Sequence, residues 1–105
     1  MSQRPWRVVT TPTAASQMGA VAAWWRENRP AVPDRFLQEL ELTVDRLATL
    51  PNAGARYEYP GLPDLRRVLL PVCRYHVYYS CDEREATVTI HAVWHSARGS
   101  GPELE

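Results

Sequence analysis

Residues 74–95, RYHVYYSCDEREATVTIHAVWH, decide the fold of this chain. The stretch 74–82 is dense in Tyr and Val, side chains that suit a pleated, half-buried surface. Asp82-Glu83-Arg84-Glu85 forms a polar turn, and 86–95 then alternates apolar and polar residues as a strand does. Two such runs joined by a turn of this length make a β-hairpin. Just upstream, LRRVLL at 65–70 reads as another strand. Between it and the helical region lies NAGARYEYPGLPD at 52–64, rich in Gly, Pro and Asn and without any period, which reads as a loop.

Further upstream the apolar period changes. Phe36, Leu37, Leu40, Val44 and Leu47 mark one helical face that runs to Leu50, with Pro33 opening the helix and Pro51 stopping it. Ala14, Met18, Val21, Ala22 and Trp25 mark another helix over 13–28, with Thr11 as cap, Pro12 in the first turn and Pro30 ending it. The connection is short, which favours an antiparallel helical hairpin. Residues 6–9 supply a first strand. The predicted order is β-α-α-β-β-β. It describes an α+β domain spanning 1–105, an antiparallel sheet with a helical hairpin packed on one face, and a flexible tail at 96–105.

At 105 residues and 45% apolar, the chain suffices for one modest core. Twelve acids balance twelve bases, and every base is Arg, so a bulk electrostatic nucleic-acid binder is not expected, although a local basic face is. Arg grips phosphate or carboxylate through paired hydrogen bonds. Cys73 and Cys81, read as lying in one strand, would stand about 26 Å apart, too far for an intrachain disulfide. No apolar run approaches membrane-spanning length and no signal peptide opens the chain, so a soluble, cytoplasmic protein is expected. No cysteine pair has metal spacing, no glycine-rich phosphate loop is present, and Ser80 and Ser96 lack a nucleophile-elbow context. No cofactor or metal is expected.

The succession of particular pieces is more specific than any one of them. WWRENRPAVPDRF (24–36), RLATLP (46–51), LRRVLL (65–70), RYHVYY (74–79) and AVWHSARG (92–99) follow one another as in the RelE/ParE superfamily, and the chain resembles these toxins of type II toxin–antitoxin systems from Trp24 to Pro102. The resemblance implies a growth inhibitor, associated with plasmid stabilisation and silenced by a cognate antitoxin. RelE-like members cut messenger RNA on the ribosome with basic strand residues and a C-terminal Arg and Tyr; characterised ParE-like members poison DNA gyrase. Here Arg66 matches a basic position of the nucleases, but Val68 stands at the second, and His76 stands where the nucleases have Arg. His95 and Ser96 replace a Lys-Arg pair, Arg98 is the base left nearby, and the C-terminal Tyr is missing. A His in the middle strand, and a His followed three residues on by Arg, is closer to the ParE-like pattern.

Alternation places Arg74, His76 and Tyr78 on one side of their strand, and His91 and His95 opposite the set Val88, Ile90, Ala92 and Trp94. If that more apolar set faces the helices, the uncovered side gathers His76, His91, His95 and Arg66 or Arg67. Arg66, His76, His95 and Arg98 are therefore the expected catalytic or target-binding residues, since imidazole can move protons near neutrality and guanidinium can hold a phosphate. Trp24, Trp25, Arg67 and Arg74 are the expected antitoxin contacts. The plainer reading of each His is a tolerated polar residue on a wet strand face, and of Arg66-Arg67 a structural pair. Three functions follow: a ParE-like toxin directed at DNA gyrase, a RelE-like nuclease acting on messenger RNA at the ribosome, and a non-toxic binding module of the same fold. Expected assemblies are a homodimer or a toxin–antitoxin hetero-oligomer.

Overall fold

The computed structural model describes residues 4–104. Among them, β1 (Arg7–Thr10) leads into α1 (Pro12–Asn28) and α2 (Arg35–Thr49), followed by β2 (Ala55–Arg56), β3 (Leu65–Leu69), β4 (Tyr75–Asp82) and β5 (Thr87–His95). Thr11 caps α1 as expected: its backbone is extended, and its hydroxyl accepts the Ala14 N–H at 3.1 Å. Pro12 occupies the first turn, where its missing donor costs nothing. On α2, Phe36, Leu40, Thr43 and Leu47 are buried at helical spacing against the sheet. From α1 the small residues Ala14 and Ala22 enter that core, with Met18, Val21 and Trp25 beside them.

The α+β order holds, with two differences from the sequence reading. The sheet is mixed: its order is β1-β5-β4-β3-β2, and β1 lies parallel to β5. The second difference explains the first. Part of the 52–64 loop pairs antiparallel with β3 as β2, through Ala55↔Arg67 and Arg56↔Arg66. With β2 included, six connections separate β1 from β5. If each reverses the chain, the two strands must run the same way.

β5 also departs from strict alternation. Tyr78 pairs with Ala92 but Tyr79 pairs with Ile90, so His91 is the extra residue of a β-bulge. The bulge rotates the end of the strand. Val88 and Ile90 pack into the helix-side core, and after the bulge it is Val93 that continues there, not Ala92. Ala92 and Trp94 instead join a small second cluster with Leu65, Tyr78 and Leu104, flanked by Tyr57, Tyr59 and Leu62. The free face of the sheet is thus partly roofed by the 57–62 loop and by the chain end.

The chain end forms part of that roof. Residues 96–104 fold back across the sheet: Trp94 Nε1 donates to the Ser100 carbonyl at 2.7 Å, and the Leu104 N–H donates to the Tyr59 hydroxyl at 3.0 Å. Pro102 and Leu104 are buried, giving an otherwise polar segment its apolar anchor. Glu105, the last residue of the expected tail, lies outside the described residues.

The β3–β4 turn is tight. Arg74 has φ 66°, its N–H donates to the Leu70 carbonyl, and β4 starts only at Tyr75. Cys73 therefore sits in a turn, not in the strand assumed for it, and both cysteines are free. From α2, the two carboxylate oxygens of Glu39 accept the backbone N–H groups of Val72 (2.9 Å) and Cys73 (2.8 Å), fastening this turn to the helix layer.

Candidate functional site

The free face carries a cleft where β3, β4 and the end of β5 meet the returning chain. Register fixes its floor. Arg67 pairs with Tyr78, and His76 pairs with Trp94, so these side chains emerge on one side of the sheet. Tyr57 comes from the loop and Arg98 from the turn after β5. Together they line a cavity of about 210 Å³.

Aromatic rings hold both guanidiniums. The Arg67 guanidinium carbon lies 5.0 Å from the Tyr57 ring centre and 6.0 Å from that of Tyr78, and Nη1 donates to the Tyr78 hydroxyl at 3.3 Å. The Arg98 guanidinium carbon lies 4.0 Å over the Trp94 ring. The Tyr57 and Tyr78 rings meet edge to face at 5.0 Å, and the His76 ring stands 6.0 Å from Tyr78. Among the described residues the one ion pair is Arg56–Asp64, both exposed, so neither cleft arginine has a carboxylate partner there. Burial holds the His76 imidazole below its ordinary range, and the charges of Arg67 and Arg74 push it the same way.

His76 and Arg98 thus stand where the sequence reading wanted them, and two other expected residues do not. Arg66 alternates with Arg67 and pairs with Tyr79 of the helix-side core. Its Nη1 donates to the carbonyl of Gly54 at 2.8 Å and, more weakly, to that of Asn52 at 3.4 Å, so it ties down the loop. His95 was expected beside His76; it reaches the lining of the same cavity at the end of β5, but the bulge sets its ring against Tyr75. It pairs with Tyr75, ring centres 4.9 Å apart, and its Nδ1 accepts the Ala97 N–H at 3.1 Å.

Of the expected partner residues, Arg67 belongs to the cleft itself. Arg74 is exposed in the β3–β4 turn and reaches His76 through its charge. Trp24 is 45% exposed on α1, with Arg29 at 5.2 Å over its ring. Trp25 packs on the core, and its buried Nε1 has no acceptor among the described residues. Sequence reasoning missed Tyr57 and Trp94. Tyr57 lay in a stretch without period, and Trp94 was assigned to the helix-facing set because alternation cannot foresee a bulge. It also missed the contact of Ser80 Oγ with His91 Nε2, 2.8 Å across the bulge. No group of three metal-ligating side chains occurs among the described residues, nor any helix long and apolar enough to cross a membrane.

A helical hairpin packed on a mixed sheet is an architecture found in solved bacterial toxins. The chain is similar to a chain of the chromosomal ParDE toxin–antitoxin system of P. aeruginosa (16% identity, TM-score 0.69), matching 89% of this chain and 98% of that one. It is similar to one from the toxin–antitoxin complex RelBE2 of Mycobacterium tuberculosis (20% identity, TM-score 0.62, 92% and 98% covered). The isolated RelE toxin of E. coli also matches (16% identity, TM-score 0.57, 90% and 88% covered). At these identities the likeness is one of fold. No curated protein matches in sequence. The model of the ParE toxin family, the toxins of type II toxin–antitoxin systems of the parDE kind, matches residues 8–99, and the chain belongs to that family.

Proposed function

We propose that this chain arrests growth by binding a macromolecular target, that the target is DNA gyrase, and that a cognate antitoxin silences it. The observation that carries binding over cleavage is the split of the expected basic set between two faces. Breaking RNA through its 2′-hydroxyl needs a base, an acid and a cation around one phosphate. The cleft supplies cations in Arg67 and Arg98 and the His76 imidazole; His95 also lines it, but its ring packs on Tyr75 and its Nδ1 is taken by the Ala97 N–H, while Arg66 points to the other side. An antitoxin is favoured by the helix layer, which leaves Trp24, Leu42 and Leu50 exposed at 45%, 67% and 59%.

The test is induction in a bacterial host with and without the product of the adjacent reading frame. Arrest should appear only without it, with induction of the DNA-damage response and accumulation of cleaved DNA on purified gyrase. Ribosome-dependent cuts in messenger RNA would replace this reading with the nuclease one. Unimpaired growth would leave a non-toxic binding module.

A further inference from the structure

We infer that the free-face cleft is a binding site for one phosphate group, gripped between Arg67 and Arg98 over His76, and that the phosphate is a nucleic-acid phosphodiester. The second half rests on the toxin reading above, in which the target works on DNA; the first stands on geometry alone.

Three features converge. Each guanidinium lies over an aromatic ring, which restricts its orientation before any ligand arrives; Arg67 gives one Nη1 hydrogen bond to the Tyr78 hydroxyl and keeps its other N–H donors. Neither has a carboxylate partner among the described residues. Both line the cavity of about 210 Å³ that His76 also lines, Arg67 coming from β3 and Arg98 from the turn after β5. Three donor-bearing side chains lining one cavity suit a tetrahedral oxyanion, whereas a planar carboxylate is satisfied by one guanidinium fork. The imidazole faces Tyr78, Trp94, Arg67 and the charge of Arg74, with no acid among them. It can donate one N–H while neutral, and it gains a proton readily once an anion offsets the arginines. A neutral chain with one such cleft is built for a single phosphate contact, not for tracking a backbone.

The experiment follows the His76 ring by NMR in the full chain, during titration with inorganic phosphate and, in parallel, acetate. Phosphate should shift the His76 signals saturably and raise its pKa. Arg67→Gln and Arg98→Gln should each weaken binding about tenfold or more, with Arg67→Lys and Arg98→Lys losing less and thermal melts reporting the fold of every variant. Arg56→Gln, outside the cleft, should bind as the parent does. The oligonucleotide dT10 should then compete with phosphate at His76, with a logarithmic salt slope near −0.7, that of one neutralised phosphate on a single strand. An unmoved His76, or equal binding by the folded Arg→Gln variants, overturns the site. Acetate binding as tightly as phosphate overturns the phosphate assignment, and phosphate binding without dT10 overturns the nucleic-acid source. Growth arrest with an unmoved His76 would sink the site and leave the toxin reading standing; phosphate binding in a chain that arrests nothing would do the reverse.

Discussion

Glu39 shows how one side chain fastens the β3–β4 turn to the helix layer. Burial by itself raises its carboxyl, but the Val72 and Cys73 amides, the Cys73 thiol and the Arg35 charge outweigh burial, and the net pKa lies below its ordinary 4.5. A carboxyl held lower in the folded than in the unfolded chain contributes stability in full above the ordinary value and loses it as pH falls through the folded one. Glu39→Gln should therefore cost about 1–2 kcal/mol at pH 7, the scale of hydrogen bonds to a charged group on a partly exposed site. The difference from the parent should close below about pH 4, as urea melts at both pH values would record. A difference independent of pH would mean that the amides do not discriminate carboxylate from amide. The same contact acts on Cys73: burial first, then the hydrogen bond and charge of Glu39, push its thiol up to about 12. Gly54 is constrained differently, because a Cβ there would stand 2.7 Å from both the Arg67 carbonyl oxygen and the Tyr79 hydroxyl, which accepts the Gly54 N–H. Gly54→Ala should destabilise the chain by about 1–3 kcal/mol, the usual cost of overpacking, read as a shift in the urea midpoint. A neutral effect would show that the loop moves aside freely.

Among the elements, those whose pattern is local were legible and those set by pairing were not. Phe36, Leu40 and Leu47 announce α2 because helical period and burial coincide, and Thr11-Pro12 announces the start of α1. Ala55 and Arg56 carry no strand pattern; they pair because β3 offers an open edge. His91 carries no bulge signal either. One extra residue on β5 was enough to exchange the faces of Trp94 and His95. The contacts of the chain end are not legible for a related reason: SARGSGPELE is polar on average, yet Pro102 and Leu104 are buried, and Leu104 packs with Tyr59 in the second cluster. Leu104→Ala should accordingly cost about 2 kcal/mol, at the low end for a buried leucine because the site opens readily to solvent. Trp94 fluorescence should move to the red in step, as its Ser100 acceptor is released. If Trp94 emission and stability both stay unchanged, the chain end is not part of the fold.

For the whole molecule, the function proposed above assigns target and antitoxin to the two faces of the sheet, and that division can be tested in one experiment. The helix side holds the main core and shows apolar side chains outward at Trp24 and Leu42, while the free side holds Arg67, His76 and Arg98 around the cleft. A silencing partner docked on the helices and a target engaged by the cleft would then fail independently. Arg67→Ala with Arg98→Ala should abolish growth arrest yet leave capture by the antitoxin within a few-fold. Trp24→Ala with Leu42→Ala should leave arrest intact yet weaken antitoxin capture by about 2 kcal/mol or more, roughly 30-fold in Kd, the scale of losing one interface anchor. Colony counts under induction read the first property and titration calorimetry with the purified antitoxin reads the second. Arg66→Ala and His95→Ala serve as the discriminating controls: both should lower the melting temperature, one by freeing the Gly54 loop and the other by uncapping the turn at Ala97, while arrest persists. If these two variants lost toxicity while the pair in the cleft kept it, the working surface would be the side of the sheet that faces the helices.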